Sequence, residues 1–184
     1  MRRRECFALP LILAGCGGSD VEFQIQPSPL LRTSKNVFPQ GVENIWTPTL
    51  TFATPGDFTV TYSFNEGRYF RLGSFVFAFF QITSTSNSFD HTTASGALRI
   101  QGLPRQVLPP SSGDAFSGGS LAWAGVTDVL YTQLTPYAVA AETYAEIYMS
   151  GSGQVQAVLS ASDMPTNGTI RLRGFVVYTA ADIS

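Results

Sequence analysis

From Ile45 onward this chain alternates apolar and polar residues with a period of two, and that alternation restricts it to β structure. In the run IWTPTLTF (45–52), Trp46, Pro48, Leu50 and Phe52 fall on one side and Thr47, Thr49 and Thr51 on the other. Successive side chains of a strand point to opposite faces, so the run reads as a strand with one face in a core and threonines, good strand formers, on the open face. Phe58, Val60, Tyr62 and Phe64 against Thr59, Thr61 and Ser63 repeat the arrangement. Thr54-Pro55-Gly56-Asp57 and Asn65-Glu66-Gly67 are turns by composition. Further strands are predicted over 97–103, 120–124, 129–137, 143–149, 154–160 and 169–179. In the last, Ile170, Leu172, Val176 and Tyr178 face inward and Arg171 and Arg173 outward. Eight or nine short strands at this spacing predict an all-β, antiparallel β-sandwich of jelly-roll type. No repeat with a period of roughly 20 to 50 residues is present, which excludes solenoids and propellers.

The stretch 74–82, SFVFAFFQI, breaks the pattern by being apolar on both faces. Phe75, Phe77 and Phe79 point one way; Val76, Ala78, Phe80 and Ile82 point the other. A strand of this kind lies between two layers, sets its outer face against another subunit, or has one face covered by the leader. Burying one Phe side chain is worth roughly 1.5 to 3 kcal/mol, so copies of this strand could hold a trimer together.

At 184 residues the chain holds one ordinary domain and a short appendage. Charged residues are only 13% of it, about half the usual share, so its surface relies on Ser, Thr, Gly, Asn and Gln. Net charge is −2 and the basic cluster is confined to Arg2, Arg3 and Arg4, so a nucleic-acid partner lacks its electrostatic footprint. Cys6 and Cys16 are the two cysteines and His91 the single histidine, too few for a zinc site. No metal and no cofactor is expected.

Residues 1–44 read as a leader and 45–184 as the sandwich. The leader opens with three arginines, an apolar run and Leu13-Ala14-Gly15-Cys16, the order of a bacterial lipoprotein signal with Cys16 as the lipid-bearing residue. The apolar run is short for a signal, is interrupted by Pro10, and abuts Glu5. The favoured expectation is therefore an uncleaved docking peptide, with Phe7, Leu9, Leu11 and Leu13 buried against a capsid or tail partner.

Catalytic candidates are sparse. Asp90-His91 sits in the Ser/Thr/Asn-rich segment 84–95, where His91 could act as a base towards one of many serines. No Gly-x-Ser-x-Gly elbow is present, and Ser150-Gly151-Ser152-Gly153 reads as a turn. Glycoside hydrolysis needs two carboxylates across a cleft, for which Asp114, Asp128, Glu142, Glu146 and Asp163 are on hand. Asn167-Gly168-Thr169 reads as a hairpin turn. Binding is the better reading. Segments 84–95, with Asn87, Asp90 and His91, and 105–119 are the expected contact loops above a rigid sandwich.

Four motifs in order carry a family resemblance: IWTPTLTF (45–52), YSFNEGRYFRLGSFV (62–76), GALRIQGLP (96–104) and GTIRLRGFVVY (168–178). They resemble the C-terminal knobs of tailed-phage tail fibres and head fibres. The resemblance implies a homotrimeric β-sandwich at a virion surface, without enzymatic activity, that contacts a host surface glycan or protein. It departs from the family in its short leader, which points to a short fibre, spike or capsid decoration. It departs also at Arg105-Gln106-Val107, where an apolar residue is more usual. Two other readings stand beside it: an outer-membrane lipoprotein lipidated at Cys16, and a hydrolase of surface polysaccharide.

Overall fold

A computed structural model describes residues 44–109 and 116–181, all of them within one compact unit. Phe7, Leu9, Leu11, Leu13 and Cys16 of the leader, and Asp114, lie outside the described residues. Among the described residues there are ten strands: β1 (Asn44–Trp46), β2 (Thr49–Thr54), β3 (Tyr62–Leu72), β4 (Phe75–Ser84), β5 (Ser95–Gln101), β6 (Ser117–Ala124), β7 (Gln133–Ala138), β8 (Tyr144–Ser150), β9 (Ala157–Val158) and β10 (Arg171–Thr179). All pairings between them are antiparallel, in the order β1-β3-β4-β10-β6-β7-β8-β5-β2, with β9 on β8. The all-β class is as the alternation predicts.

The sheet curls into a sandwich at β6 and β7, which share a single register pair, Leu121 with Leu134. Val76, Ala78, Phe80, Ile82, Leu172 and Val176 from one arm and Leu50, Phe52, Leu98, Ile100 and Ile147 from the other join in one buried cluster. Each arm thus hides the alternate residues that its sequence period marks as apolar. Leu72 and Phe75 close the β3–β4 hairpin across a two-residue turn, where Gly73 adopts φ +60°. Left-handed backbone is steric strain for most residues and open to glycine. Gly67 on β3 answers to a different constraint: a Cβ there would stand 2.2 Å from Trp46 Nε1. The indole lies across that bare backbone, is 7% exposed, and donates from Nε1 to the Phe79 carbonyl at 3.0 Å.

Several expected elements differ. Asn65-Glu66-Gly67, expected as a turn, runs on within β3, where it pairs with Ile82, Gln81 and Phe80 of β4. Phe58 and Val60 do not extend a ladder, because Pro55-Gly56-Asp57 turns the chain and only Thr59 bridges, to Asp90. The 129–137 run starts as β7 only at Gln133, since Asp128 Oδ1 takes the Leu130 N–H at 2.7 Å in a local turn and leaves Val129 exposed. The 154–160 run contributes only the two residues of β9. Arg105-Gln106-Val107 packs well in spite of its departure from the family pattern. The Tyr178 hydroxyl donates to the Arg105 carbonyl and accepts from its N–H, both at 3.1 Å, and Val107 is 1% exposed beside Ala180.

Candidate functional site

The strand with two apolar faces resolves into one covered side and one open side. Val76, Ala78, Phe80 and Ile82 lie in the core, with Phe80 edge-on to Trp46 at a centroid distance of 6.4 Å. Phe75, Phe77 and Phe79 lie on the outer face, where register sets Phe70 of β3 beside Phe77 and Phe175 of β10 beside Phe79. Phe70 and Phe77 stack at 4.7 Å, nearly parallel, and Phe79 stands 6.2 Å from Phe70 and 5.9 Å from Phe175. Cross-strand aromatic pairs of this kind stabilise a sheet by about 0.2–1 kcal/mol each. They also leave a continuous apolar ladder facing outward: Leu72 is 48% exposed and Phe79 45%. Further along the same face the lining turns polar, with Glu66 and Arg68 paired at 3.2 Å.

A second feature lies where the 91–96 segment meets the turn after β9. A crevice of about 570 Å³ is lined by His91, Thr92, Ser95, Ser160, Ser162 and Thr166, with Ala94, Gly96, Ala161 and Met164 between them. Both walls are fixed. Asp57 reaches across from its turn, its carboxylate accepting from the Thr92 N–H at 2.9 Å, the Thr93 N–H at 2.8 Å and the Thr92 hydroxyl. These bonds, the Thr92 hydroxyl first, hold the Asp57 carboxyl well below the usual carboxylate range. On the other wall Asp163 Oδ2 accepts from both the N–H and the hydroxyl of Ser160 at 2.7 Å. The walls are tied to each other by the Asn167 N–H donating to Asp90 Oδ1 at 3.1 Å and by paired backbone bonds between Phe89 and Gly168.

His91 is one of the residues lining this crevice and is 8% exposed. Its ring contacts Phe52 at 5.0 Å and Phe89 at 5.9 Å, in a cluster that Phe58 completes. Nε2 is buried without a hydrogen-bond partner. An unsatisfied buried polar atom costs about 1–3 kcal/mol, which edge contacts with aromatic faces offset only in part.

The three expected contact residues therefore have separate settings. Asn87 is an exposed turn residue at φ +54° whose N–H donates to Thr169 Oγ1 at 3.0 Å. Asp90 braces Asn167, and of the three only His91 lines the crevice. Three of the carboxylates weighed for hydrolysis are in structural use: Glu146 bonds Arg99 at 3.1 Å, Asp163 holds Ser160, and Asp128 holds Leu130, while Glu142 lies in the turn before β8. The wall at 160–166 was not foreseen from sequence. Ser160-x-x-Asp163 is a turn-capping spacing that could have marked it.

In class, this is an antiparallel β-sandwich with an outward aromatic ladder on one sheet and a hydroxyl-lined crevice beside its turns. No family model matches the chain, and no curated protein does. Among solved structures it is similar to the Dettilon tailspike protein, at 15% identity and a TM-score of 0.57 over 77% of this chain. The chain spans 24% of that tailspike's length. At this identity the likeness is one of fold.

Proposed function

We propose that this chain is a non-enzymatic surface protein of a phage virion, a short fibre, spike or capsid decoration, that attaches to a host surface glycan or protein and works as a homotrimer. The aromatic ladder on β3, β4 and β10 carries this reading. A ring fully buried removes about 150–250 Å² from water. The exposed fractions of Phe75, Phe79 and Phe175, 39%, 45% and 36%, thus amount to roughly 200 Å² per copy. At about 25 cal/mol per Å², covering them would yield about 5 kcal/mol per copy. Self-association is the economical cover, because a trimer repeats the contact three times. The tailspike likeness in fold supports the virion setting, and the crevice, whose lining has no carboxylate, favours binding over hydrolysis. The leader, through Phe7, Leu9, Leu11 and Leu13, would dock the protein on a capsid or tail partner.

Purified particles of the phage that encodes the chain should contain it, with light scattering of the isolated protein giving three times the chain mass. Recovery as a diacylated species starting at Cys16 in an outer-membrane fraction would instead establish the lipoprotein. Shortening of surface polysaccharide on incubation would establish the hydrolase.

A further inference from the structure

The crevice supports an assignment of its own. Its polar lining is hydroxyl and imidazole, with no carboxylate, ammonium or guanidinium among the lining residues, and Met164 and Ala161 give it an apolar floor. The nearby carboxylates of Asp57 and Asp163 are engaged by Thr92, Thr93 and Ser160, and no cationic side chain lines the space, so an anionic ligand finds nothing there to neutralise it. It suits a molecule with many hydroxyls and a C–H face, since hydroxyls both donate and accept while the floor covers carbon. The volume of about 570 Å³ lies within the range of small-ligand sites, roughly 300–1,000 Å³.

His91 is the second, independent observation. It is more than nine-tenths buried, and the rings around it, Phe52, Phe58 and Phe89, would accept a phenylalanine in its place. An imidazole stands there with a nitrogen that has no partner inside the fold. Nε2 makes no hydrogen bond within the fold, so engaging a ligand seated in the crevice would break none. The walls are fixed beforehand by the Asp57 and Asp163 bonds, which lowers the ordering cost of binding.

We propose that this crevice binds a neutral saccharide, one or two rings deep, with the hydroxyls of Ser95, Ser162 and Thr166 at its rim and His91 in its lining. The assignment deepens the attachment reading, and rests on it only for the origin of the sugar on a host surface.

The test is a titration of the full chain, with labelled histidine, against neutral disaccharides covering gluco, galacto, manno and N-acetylated rings. Glucuronic acid and glucose 6-phosphate serve as charged comparators. At least one neutral disaccharide should shift the His91 imidazole resonances with millimolar affinity, and the charged sugars should bind at least tenfold more weakly. His91→Phe should weaken binding at least tenfold without lowering the melting temperature. Ser162→Trp, at the exposed rim, should block it if His91→Phe fails to fold. Phe79→Ser, on the far aromatic ladder, should disperse the assembly and leave sugar affinity unchanged, so a failed trimer would not be mistaken for a failed site. Silence of His91 across the neutral panel, equal binding of the charged sugars, or binding that survives Ser162→Trp would each overturn the proposal.

Discussion

Phe79 and Phe80 are consecutive residues on β4 with opposite destinies, and truncating each in turn separates the core from the outer ladder. Phe80 is 5% exposed and packs edge-on to Trp46. Removing a buried Phe ring costs about 3–5 kcal/mol, the lost transfer term plus the cavity. For a domain of this size each kcal/mol moves the melting temperature by roughly 2–4 °C, so Phe80→Ala should lower it by about 10 °C while any assembly that still folds keeps its mass. Phe79 is 45% exposed in the single chain. Close to half of its burial is thus missing before any partner arrives, and Phe79→Ser should cost the isolated fold about 1 kcal/mol. Its larger effect should be on association, because three copies of the ring leave the proposed interface together. Circular dichroism melts and light scattering on both variants, at matched concentration, read the two effects apart. The reasoning fails if Phe79→Ser destabilises the fold as much as Phe80→Ala does, or if the wild-type chain is itself monomeric.

Three further outcomes follow from the bonds around the sandwich. Asp57 is held below its ordinary 3.8, so its contribution to stability is full above a pH of about 4 and is lost as pH falls below it. Asp57→Asn should remove that part of the acid limb in a pH series of thermal melts and speed amide exchange at Thr92 and Thr93. Tyr178 is pushed up from 10.0 to about 12, chiefly by burial, against the lowering effect of its bond to the Arg105 backbone. Its contribution is therefore full below pH 10 and declines as pH rises towards 12; Tyr178→Phe should cost about 1–2 kcal/mol at neutral pH by losing two hydrogen bonds and should abolish that alkaline decline in urea titrations. Gly67→Val places a side chain where the Trp46 indole lies, so it should displace the ring at about 1–3 kcal/mol and shift tryptophan fluorescence to the red.

The strands were legible in sequence where burial is one-sided. In β2, β8 and β10 the inward positions follow the period of two, and Leu50, Phe52, Ile147, Leu172 and Val176 are all in the core. The two-faced strand was legible too, as a strand whose outer ring set needs explaining. What escaped was set by tertiary pairing. Phe58 and Val60 alternate like strand residues, yet the segment from Thr85 to Asp90 takes the backbone bonds at Thr59 and Thr61, and Phe58 turns to pack edge-on against Phe52 and Phe89. No local rule announces that a loop 27 residues downstream, bonded from Ser88 to Thr61, will complete a sheet edge.

The crevice shows the same limit from the functional side. Its two walls are separated in sequence by the strands from the body of β5 to β9, and they meet because β5 and β9 pair with the same edge of β8, opposite β7, while Leu98 donates to the Leu159 carbonyl at 2.8 Å. His91 stood out in sequence because it is the single histidine, and the surrounding serines and threonines pointed to an exposed loop. In the fold those hydroxyls do two different jobs. Thr92 and Ser160 are consumed in bonds to Asp57 and Asp163, which fix the walls, while Ser95 and Thr166 line the space between. A composition rich in Ser and Thr is therefore compatible with a rigid site, because part of it is spent holding the rest in place. The consequence for binding is directional: substitutions at Asp57 or Asp163 should loosen the crevice and weaken a ligand by lost preorganisation, whereas substitutions at Thr166 should remove a contact and leave the fold's stability unchanged.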